Sequence, residues 1–438
     1  MTLARNLANA AIVIASMVLV SCRSAPQQSI SPSTLPPPSR QAPTRTLSPS
    51  IATITAKWAT EEARGSPTPE PSTPTPSPAT RLDPLGCVPL ARSAPQAIPD
   101  EIVYARDGLE IYNSQADLLT TLYTEPEGWF LEASDFPRTS PDLTRLAIEV
   151  EGPALGTVSG NTLLLLDGNG LLPAITTSGL DWGDVVGWLG DDRVLLSSEE
   201  PGQRTMYTID PSTGIATPVP MPFPDQLLFG ADWYAMHRVE IASLSADGRL
   251  AVYFGAGPGA SDSHYVLWDL PVDLPLWRSP PLWGSHPLWS PDSSQFAFSA
   301  DLVDLDYSPS PQLTNYDVYV ISRQGEETKL TDFTKWRPQQ EVDIPDVAWS
   351  PDGTRLAYFL GTRANPDEEY TYTLSTTSLD TLATTVYCAE FNRTQRPQWS
   401  PDSRFLAVTG GDVIDTQTGS IFQLVEGGMP IGWIRDAP

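Results

Sequence analysis

WSPDGTRLAYFL, residues 349–360, joins a Trp-Ser-Pro-Asp-Gly turn to a short apolar run. Proline presets the backbone of a type I turn, Ser and Asp bond neighbouring amides, and glycine permits a left-handed exit. The apolar run has the length of a buried strand. Near-copies stand at 289–300 and 399–410. We therefore expect one structural unit to recur along the chain.

Weaker copies extend the series to seven starts. They lie at 139–150, 188–199 and 244–255, and a truncated start, WIRD, lies at 433–436. The shortest complete unit, 399–432, holds four short strand patterns. Repeated four-stranded units separated by turns are typical of a β-propeller. Every start has an aspartate three places on: Asp142, Asp191, Asp247, Asp292, Asp352, Asp402 and Asp436. We interpret these aspartates as structural residues of the turns.

The two ends of the repeat region predict how the ring closes. Residues 102–124 contain three strand patterns without a first strand, and 433–436 begins a unit that has no room for three more. We therefore predict an all-β, seven-bladed propeller of four-stranded blades over 98–438. Its C-terminal strand joins the three N-terminal strands in one blade, which leaves no long free edge.

The WSPDG-type repeats resemble those of TolB-like propellers, which are related in shape to WD-repeat propellers. The resemblance spans about residues 100–438 and is strongest in the repeats at 289, 349 and 399. It implies a propeller fold. Repeats of this kind occur in translocation scaffolds, in the propeller domains of peptidases and in binding proteins.

The first 22 residues form a separate segment. Arg5 precedes an apolar stretch that is short for a membrane span and ends in LVSC at Cys22. A small residue before this cysteine resembles the bacterial lipobox, which implies a lipoprotein signal peptide over 1–22 with acyl chains on Cys22. The alternative is an ordinary secretory signal that contains a cysteine. The lipobox interpretation places the protein in the cell envelope, on the outer side of the cytoplasmic membrane or on an outer membrane if one exists.

Composition and charge separate the remaining parts. Residues 23–97 are rich in Pro, Ser and Thr and predict a disordered linker. The whole chain has 53 acidic and 26 basic side chains, a net charge of −27. Such an acidic protein is repelled by nucleic acid, so we expect no nucleic-acid partner. Contact with the membrane is expected through the N-terminal lipid.

Beyond Cys22, the sequence contains two more cysteines, Cys87 and Cys388. In an oxidising compartment this even pair could form a disulfide at the exit of the linker. The alternative is two separate thiols. Cys-x-x-Cys and Cys/His metal spacings are absent from the sequence.

Sequence motifs of the common hydrolases and nucleotide-binding enzymes are absent. We therefore expect a non-catalytic interaction or scaffold module that takes no cofactor or metal, acts as a monomer and binds an envelope protein, peptide or glycan. Two alternatives stay open. One is a lectin-like propeller that binds glycan or peptide, and the other is a glycosidase-type hydrolase with a carboxylate pair in the central funnel.

The longest predicted insertions lie on the face that carries the loops between second and third strands and between blades. They cover 222–238, 254–264, 300–315 and 331–346. Aromatic and arginine side chains are enriched at interface hot spots. The predicted binding residues are Trp233, Tyr234, Asp304, Asp306, Tyr307, Trp336 and Arg337. The tryptophans could instead pack beneath their own loops, and Asp301, Asp304 and Asp306 could form a calcium site or a solvated acidic loop.

Overall fold

The repeated turns and strands build seven small antiparallel sheets, which the computed structural model arranges as a β-propeller. The prediction of an all-β, seven-bladed ring is confirmed. The structure describes residues 87–106, 108–124, 130–131, 139–151, 162–167, 170–172, 182–190, 193–198, 206–219, 238–256, 263–280, 282–302, 315–337, 339–391 and 396–435.

Blade 1 closes the ring as predicted. The C-terminal strand β31 pairs antiparallel with β2, and Trp433 lies opposite Ile102. The sheet order is β31-β2-β3-β4. Its strands are β2 (Glu101–Ala105), β3 (Gly108–Asn113), β4 (Leu118–Thr124) and β31 (Met429–Ile434).

Blades 2 to 4 follow the simple order of first to fourth strand. Blade 2 contains β5 (Phe130–Leu131), β6 (Arg145–Glu151), β7 (Thr162–Asp167) and β8 (Gly170–Leu171). Blade 3 contains β9 (Trp182–Leu189), β10 (Arg193–Ser198), β11 (Met206–Ile209) and β12 (Ala216–Val219). Blade 4 contains β13 (Arg238–Leu244), β14 (Leu250–Ala256), β15 (His264–Asp269) and β16 (Leu274–Arg278).

In blades 5 and 6 the innermost strand is divided into two pieces, both of which pair with the second strand. Blade 5 contains β17 (Leu282–Gly284), β18 (Leu288–Trp289), β19 (Gln295–Leu302), β20 (Asp317–Ser322) and β21 (Glu327–Lys329). Blade 6 contains β22 (Glu341–Asp343), β23 (Ala348–Trp349), β24 (Arg355–Arg363), β25 (Thr371–Ser378) and β26 (Thr384–Phe391). A four-residue helix, α1 (Phe333–Trp336), lies in the loop between them.

Blade 7 has a fifth strand that the repeat pattern does not predict. Its own strands are β27 (Gln398–Trp399), β28 (Phe405–Val408), β29 (Asp412–Asp415) and β30 (Ser420–Gln423). The additional strand β1 (Ala91–Arg92) pairs parallel with β30. The folded propeller therefore includes residues before 98, and the predicted linker boundary at residue 97 needs correction.

Residues 87–93, here called the strap, join the outer strands of blades 6 and 7. Cys87 is disulfide-bonded to Cys388, with the two Cα atoms 5.0 Å apart. Next to it, Val88 donates its amide to Val386 and accepts the amide of Cys388. Further along, Ala91 N donates to Gly419 O on the neighbouring blade. The strap thus ties two sheets together by backbone pairing and one covalent bond.

The hydrophobic core lies in the seams between blades. Seven clusters of buried side chains each fill the space between two adjacent sheets. In three seams, the indole N–H of the repeat tryptophan donates to a carbonyl on the first strand of the preceding blade. These pairs are Trp349 with Leu288 (2.8 Å), Trp399 with Ala348 (3.2 Å) and Trp433 with Gln398 (3.0 Å). In these three seams the repeated tryptophan therefore fixes a blade to its neighbour.

Candidate functional site

The repeated turns share one pattern of hydrogen bonds. In blade 6, Gly353 N donates to Ser350 O at 2.8 Å, which closes the predicted turn. Ser350 Oγ donates to Asp352 Oδ1 at 2.6 Å, and Thr354 N donates to the same oxygen at 3.0 Å. Arg355 N donates back to Ser350 Oγ at 2.9 Å. The Ser-to-Asp bond recurs in four other turns: Ser140–Asp142, Ser245–Asp247, Ser290–Asp292 and Ser400–Asp402. These five aspartates are structural residues.

The backbone conformation at the end of the turn explains why glycine is found there. Gly353 has φ of 70°, a left-handed conformation that costs other residues free energy. Ser293 and Ser403 adopt the same conformation with φ of 54° and 60°. Their hydroxyls accept the amides of Ala246 and Asp352 on the preceding blades, both at 3.0 Å. In these two repeats the serine replaces glycine because its side chain joins neighbouring turns.

A cavity of about 540 Å³ lies inside the ring of turns, with residues of all seven blades in its wall. We call this side of the propeller the turn face and the opposite side the loop face. Turn prolines and repeat tryptophans are among the residues of the wall. The prolines are Pro141, Pro291, Pro351 and Pro401. The volume is within the range of small-ligand sites, about 300–1,000 Å³.

A buried ion pair contributes to this cavity. Arg396, which lines the cavity, places Nη2 3.1 Å from Asp346 Oδ1 on the neighbouring blade. Their side chains are 10% and 11% exposed. Among the described residues, Nη2 is the one guanidinium nitrogen that has a hydrogen-bond acceptor. The arginine therefore keeps donors for a molecule inside the cavity.

Arg396 and Asp346 lie at positions where the innermost strands of their blades are interrupted or have not yet begun. Asp346 lies between β22 and β23, and Arg396 precedes β27, so neither residue belongs to a regular ladder. Both stand three residues before a repeat tryptophan, as does His286 in the preceding blade. Sequence reasoning missed this set because only the turn was aligned. Extending the alignment three residues upstream would have found it.

Asp142 and Asp352, which line the cavity, are held in their ionised form. Burial raises the pKa of Asp142, but hydrogen bonds from Ser140 and Thr144 and the charge of Arg145 outweigh this effect and bring the pKa below its usual value. Burial also raises the pKa of Asp352, but the hydrogen bonds to its carboxylate outweigh this effect, so that the pKa is lowered. A glycosidase acid requires the opposite shift, because it must carry a proton near neutral pH. These two residues are suited to fixed charge and not to proton donation.

Changing Asp142 to asparagine is expected to lower the free energy of unfolding by about 1 kcal/mol at pH 7. Because the native pKa is depressed, the stabilisation is present above the unfolded value near 3.8 and is lost as pH falls through the native pKa. Urea unfolding at pH 7 and pH 3 should therefore show a difference between variant and parent that shrinks in acid. Asp367→Asn, at an exposed position, is the control. An equal deficit at both pH values would contradict this prediction.

The aromatic side chains at the cavity do not form an exposed platform. Trp188, Trp289, Trp349 and Trp399 line it but are only 6–8% exposed. Sugar-binding propellers of the lectin-like kind expected above need aromatic rings that face solvent. The described part of the funnel therefore offers no support for glycan stacking.

The predicted loop-face residues fall into two groups. Trp233, Tyr234, Asp304, Asp306 and Tyr307 lie outside the described residues, as does the lipid-attachment residue Cys22. Trp336 and Arg337 are at the end of α1 and are absent from the wall of the cavity. The Trp336 ring is half-buried against Phe333, at 5.1 Å between centroids, and Arg337 Nη1 donates to Gln340 Oε1 at 2.9 Å. Trp336 thus packs beneath its own loop.

One carboxylate of the predicted acidic loop is described. Burial, followed by the nearby charge of Asp317, raises the pKa of Asp301 to about 6, although the amide of Asn315 acts in the opposite direction. Within the described ranges, no group of three or more His, Cys, Asp or Glu side chains is arranged to hold a metal ion. In the same part of the chain, no helix has the length and apolar character to cross a bilayer.

Comparison with known proteins gives structural neighbours. No protein-family model matches the chain, and no curated protein matches its sequence. An oligogalacturonate lyase in complex with manganese is 15% identical, with a TM-score of 0.49, over 76% of this chain and 86% of its own. TolB from Acinetobacter baumannii is 16% identical, with a TM-score of 0.41, over 78% and 87%. The Dos1 propeller is 11% identical, with a TM-score of 0.38, over 74% and 90%.

Proposed function

We propose that this chain is a lipid-anchored, extracytoplasmic recognition module that binds an envelope protein at the turn face without catalysing a reaction. The cavity at the centre of the turns is the observation that carries this proposal. Binding sites combine apolar surface with well-placed polar groups, and the wall of this cavity contains both. Arg396, held by Asp346 of the neighbouring blade, supplies one such polar group.

The chemistry of the cavity favours binding over proton transfer. Asp142 and Asp352 have lowered pKa values and accept hydrogen bonds from their own turns. Their charges are therefore constant over the physiological pH range, which suits electrostatic recognition.

The Cys87–Cys388 disulfide supports an extracytoplasmic location. Disulfides persist in oxidising compartments and are rare in the cytosol. The LVSC sequence that ends at Cys22 gives the proposed means of attachment. An anchor of several acyl chains holds a protein stably at a membrane, whereas a single chain does not.

Site-specific photo-crosslinking in native membranes tests the binding face. A photoreactive amino acid at position 435, at the rim of the cavity, should link the full-length protein to one envelope protein. The matched control is position 365, in the loop between β24 and β25 on the loop face. The same product from both positions, or none from position 435, would refute the proposed face.

The anchor is tested separately. Cys22→Ser should abolish incorporation of labelled palmitate and move the protein from the membrane fraction to the soluble fraction. Unchanged membrane association without palmitate labelling of the parent protein would overturn the lipoprotein proposal and leave the turn-face experiment unaffected.

A further inference from the structure

The cavity contains an arginine for which the described residues provide a single hydrogen-bond acceptor. Arg396 donates from Nη2 to Asp346, and no other described residue accepts from its guanidinium. A guanidinium carries five N–H donors in a planar fork that matches a carboxylate with two parallel hydrogen bonds. A carboxylate is therefore the group that this side chain is best shaped to receive.

Asp346 acts as the positioning residue for this guanidinium. It approaches from the neighbouring blade, and its side chain is almost as buried as that of Arg396. An ion pair of this kind fixes the orientation of the arginine, since rotation would break a contact between two buried charged groups. Because water is largely excluded there, a further charge-assisted hydrogen bond would be strong.

The charges at the rim of the cavity restrict which other groups the ligand can have next to its carboxylate. Asp142, Asp352 and Asp402 line the outer part of the cavity, and Arg435 is the basic side chain among the described residues at this rim. Three carboxylates against one guanidinium repel a multiply charged anion such as a phosphate or a run of acidic residues. They favour a ligand that has one carboxylate deep in the cavity and neutral or basic groups outside it.

The depth of Arg396 in the cavity favours the end of a partner polypeptide over an internal segment as the part that is bound. It lies six residues before Asp402 of the rim, on the strand side of the turn. An internal loop would need to enter and leave a cavity of about 540 Å³, whereas a chain end needs only to enter. A peptide's C-terminus presents one carboxylate at the tip of an extended chain, which fits this depth and this charge pattern.

We propose that the cavity binds the free C-terminal carboxylate of a partner polypeptide through Arg396, with neutral or basic residues preceding it at the aspartate rim. This inference rests on the proposed function, which it deepens by naming the part of the partner that is recognised. Asp346 holds the guanidinium in the receiving orientation.

The test uses the full-length protein and two matched peptide mixtures. Random hexapeptides with free C-termini are compared with the same mixture carrying C-terminal amides, and bound peptides are identified by mass spectrometry. We expect the free-carboxylate mixture to be enriched at least about tenfold over the amides, with acidic residues depleted near the C-terminus. Equal retention of both mixtures, or retention of neither, would overturn the inference.

A double variant in which both charges of the ion pair are removed controls for effects on folding. Arg396→Gln alone would remove the ion-pair partner of the buried Asp346 carboxylate, so the double variant R396Q/D346N is used, and its urea midpoint is compared with that of the parent. This variant should lose the preference for free carboxylates. If it keeps the preference, Arg396 is not the receiving group. If the partner crosslinked at position 435 also remains bound to the double variant, the C-terminus inference fails while the proposed function stands.

Discussion

Replacing Trp433 by alanine is expected to lower the free energy of unfolding by about 4 kcal/mol. The side chain is 2% exposed and lies in the seam between blades 1 and 7, on the strand that closes the ring. Its loss leaves a large cavity and also removes the indole donor to Gln398 O. Urea unfolding followed by circular dichroism measures the change.

Two variants separate the contributions of Trp433. Trp433→Phe keeps an aromatic ring in the seam but removes the N–H, so it should cost about 1–3 kcal/mol, including the desolvation of an unpaired carbonyl. Leu118→Ala, at a side chain that is 55% exposed, should cost less than about 0.5 kcal/mol. An alanine variant at 433 that is no less stable than Leu118→Ala would show that the ring closes without this residue.

Removing the disulfide is expected to cost about 2–5 kcal/mol of folding free energy. The bond joins residues separated by 301 positions, and a cross-link over a long loop restricts the unfolded chain strongly. The double variant C87A/C388A should therefore unfold at lower urea concentration than the oxidised parent. It also loses the tie that holds the strap beside β26.

Reduction provides the matched comparison. The parent treated with a thiol reductant should unfold near the midpoint of the double variant, and the double variant should not respond to the reductant. A double variant as stable as the oxidised parent would show that the backbone pairing of β1 holds the strap without the covalent bond.

The propeller could be predicted from the sequence because its turns repeat the same local pattern of hydrogen bonds. Ser350 and Asp352 bond within six residues of chain, so the signal survives in each copy without knowledge of distant contacts. Ring closure followed from the incomplete units at the two ends. The Cys87–Cys388 bond of the strap was one of two alternatives for these cysteines. The strand β1 could not be predicted, because it has two residues, Ala91 and Arg92, and depends on pairing with a strand more than 300 positions away.

The cavity on the turn face was not among the sequence predictions, and the reason is physical. Loop length and aromatic content drew attention to the loop face, where Trp336 proved to pack against Phe333. Arg396 and Asp346 stand 50 positions apart in the sequence and meet because the ring places matching positions of adjacent blades side by side. In a repeat protein, comparing one repeat position across all blades can therefore reveal charges that meet in the folded ring.

The strap also determines how the propeller responds to mechanical load. Tension on the chain upstream of Cys87 reaches a covalent bond to Cys388 in blade 6 before it reaches β2, the strand that pairs with β31 to close the ring. Force would therefore enter the protein at the outer rim of blade 6, away from the seam on which closure depends. A tethered propeller built in this way can be pulled by its leading segment without being unzipped.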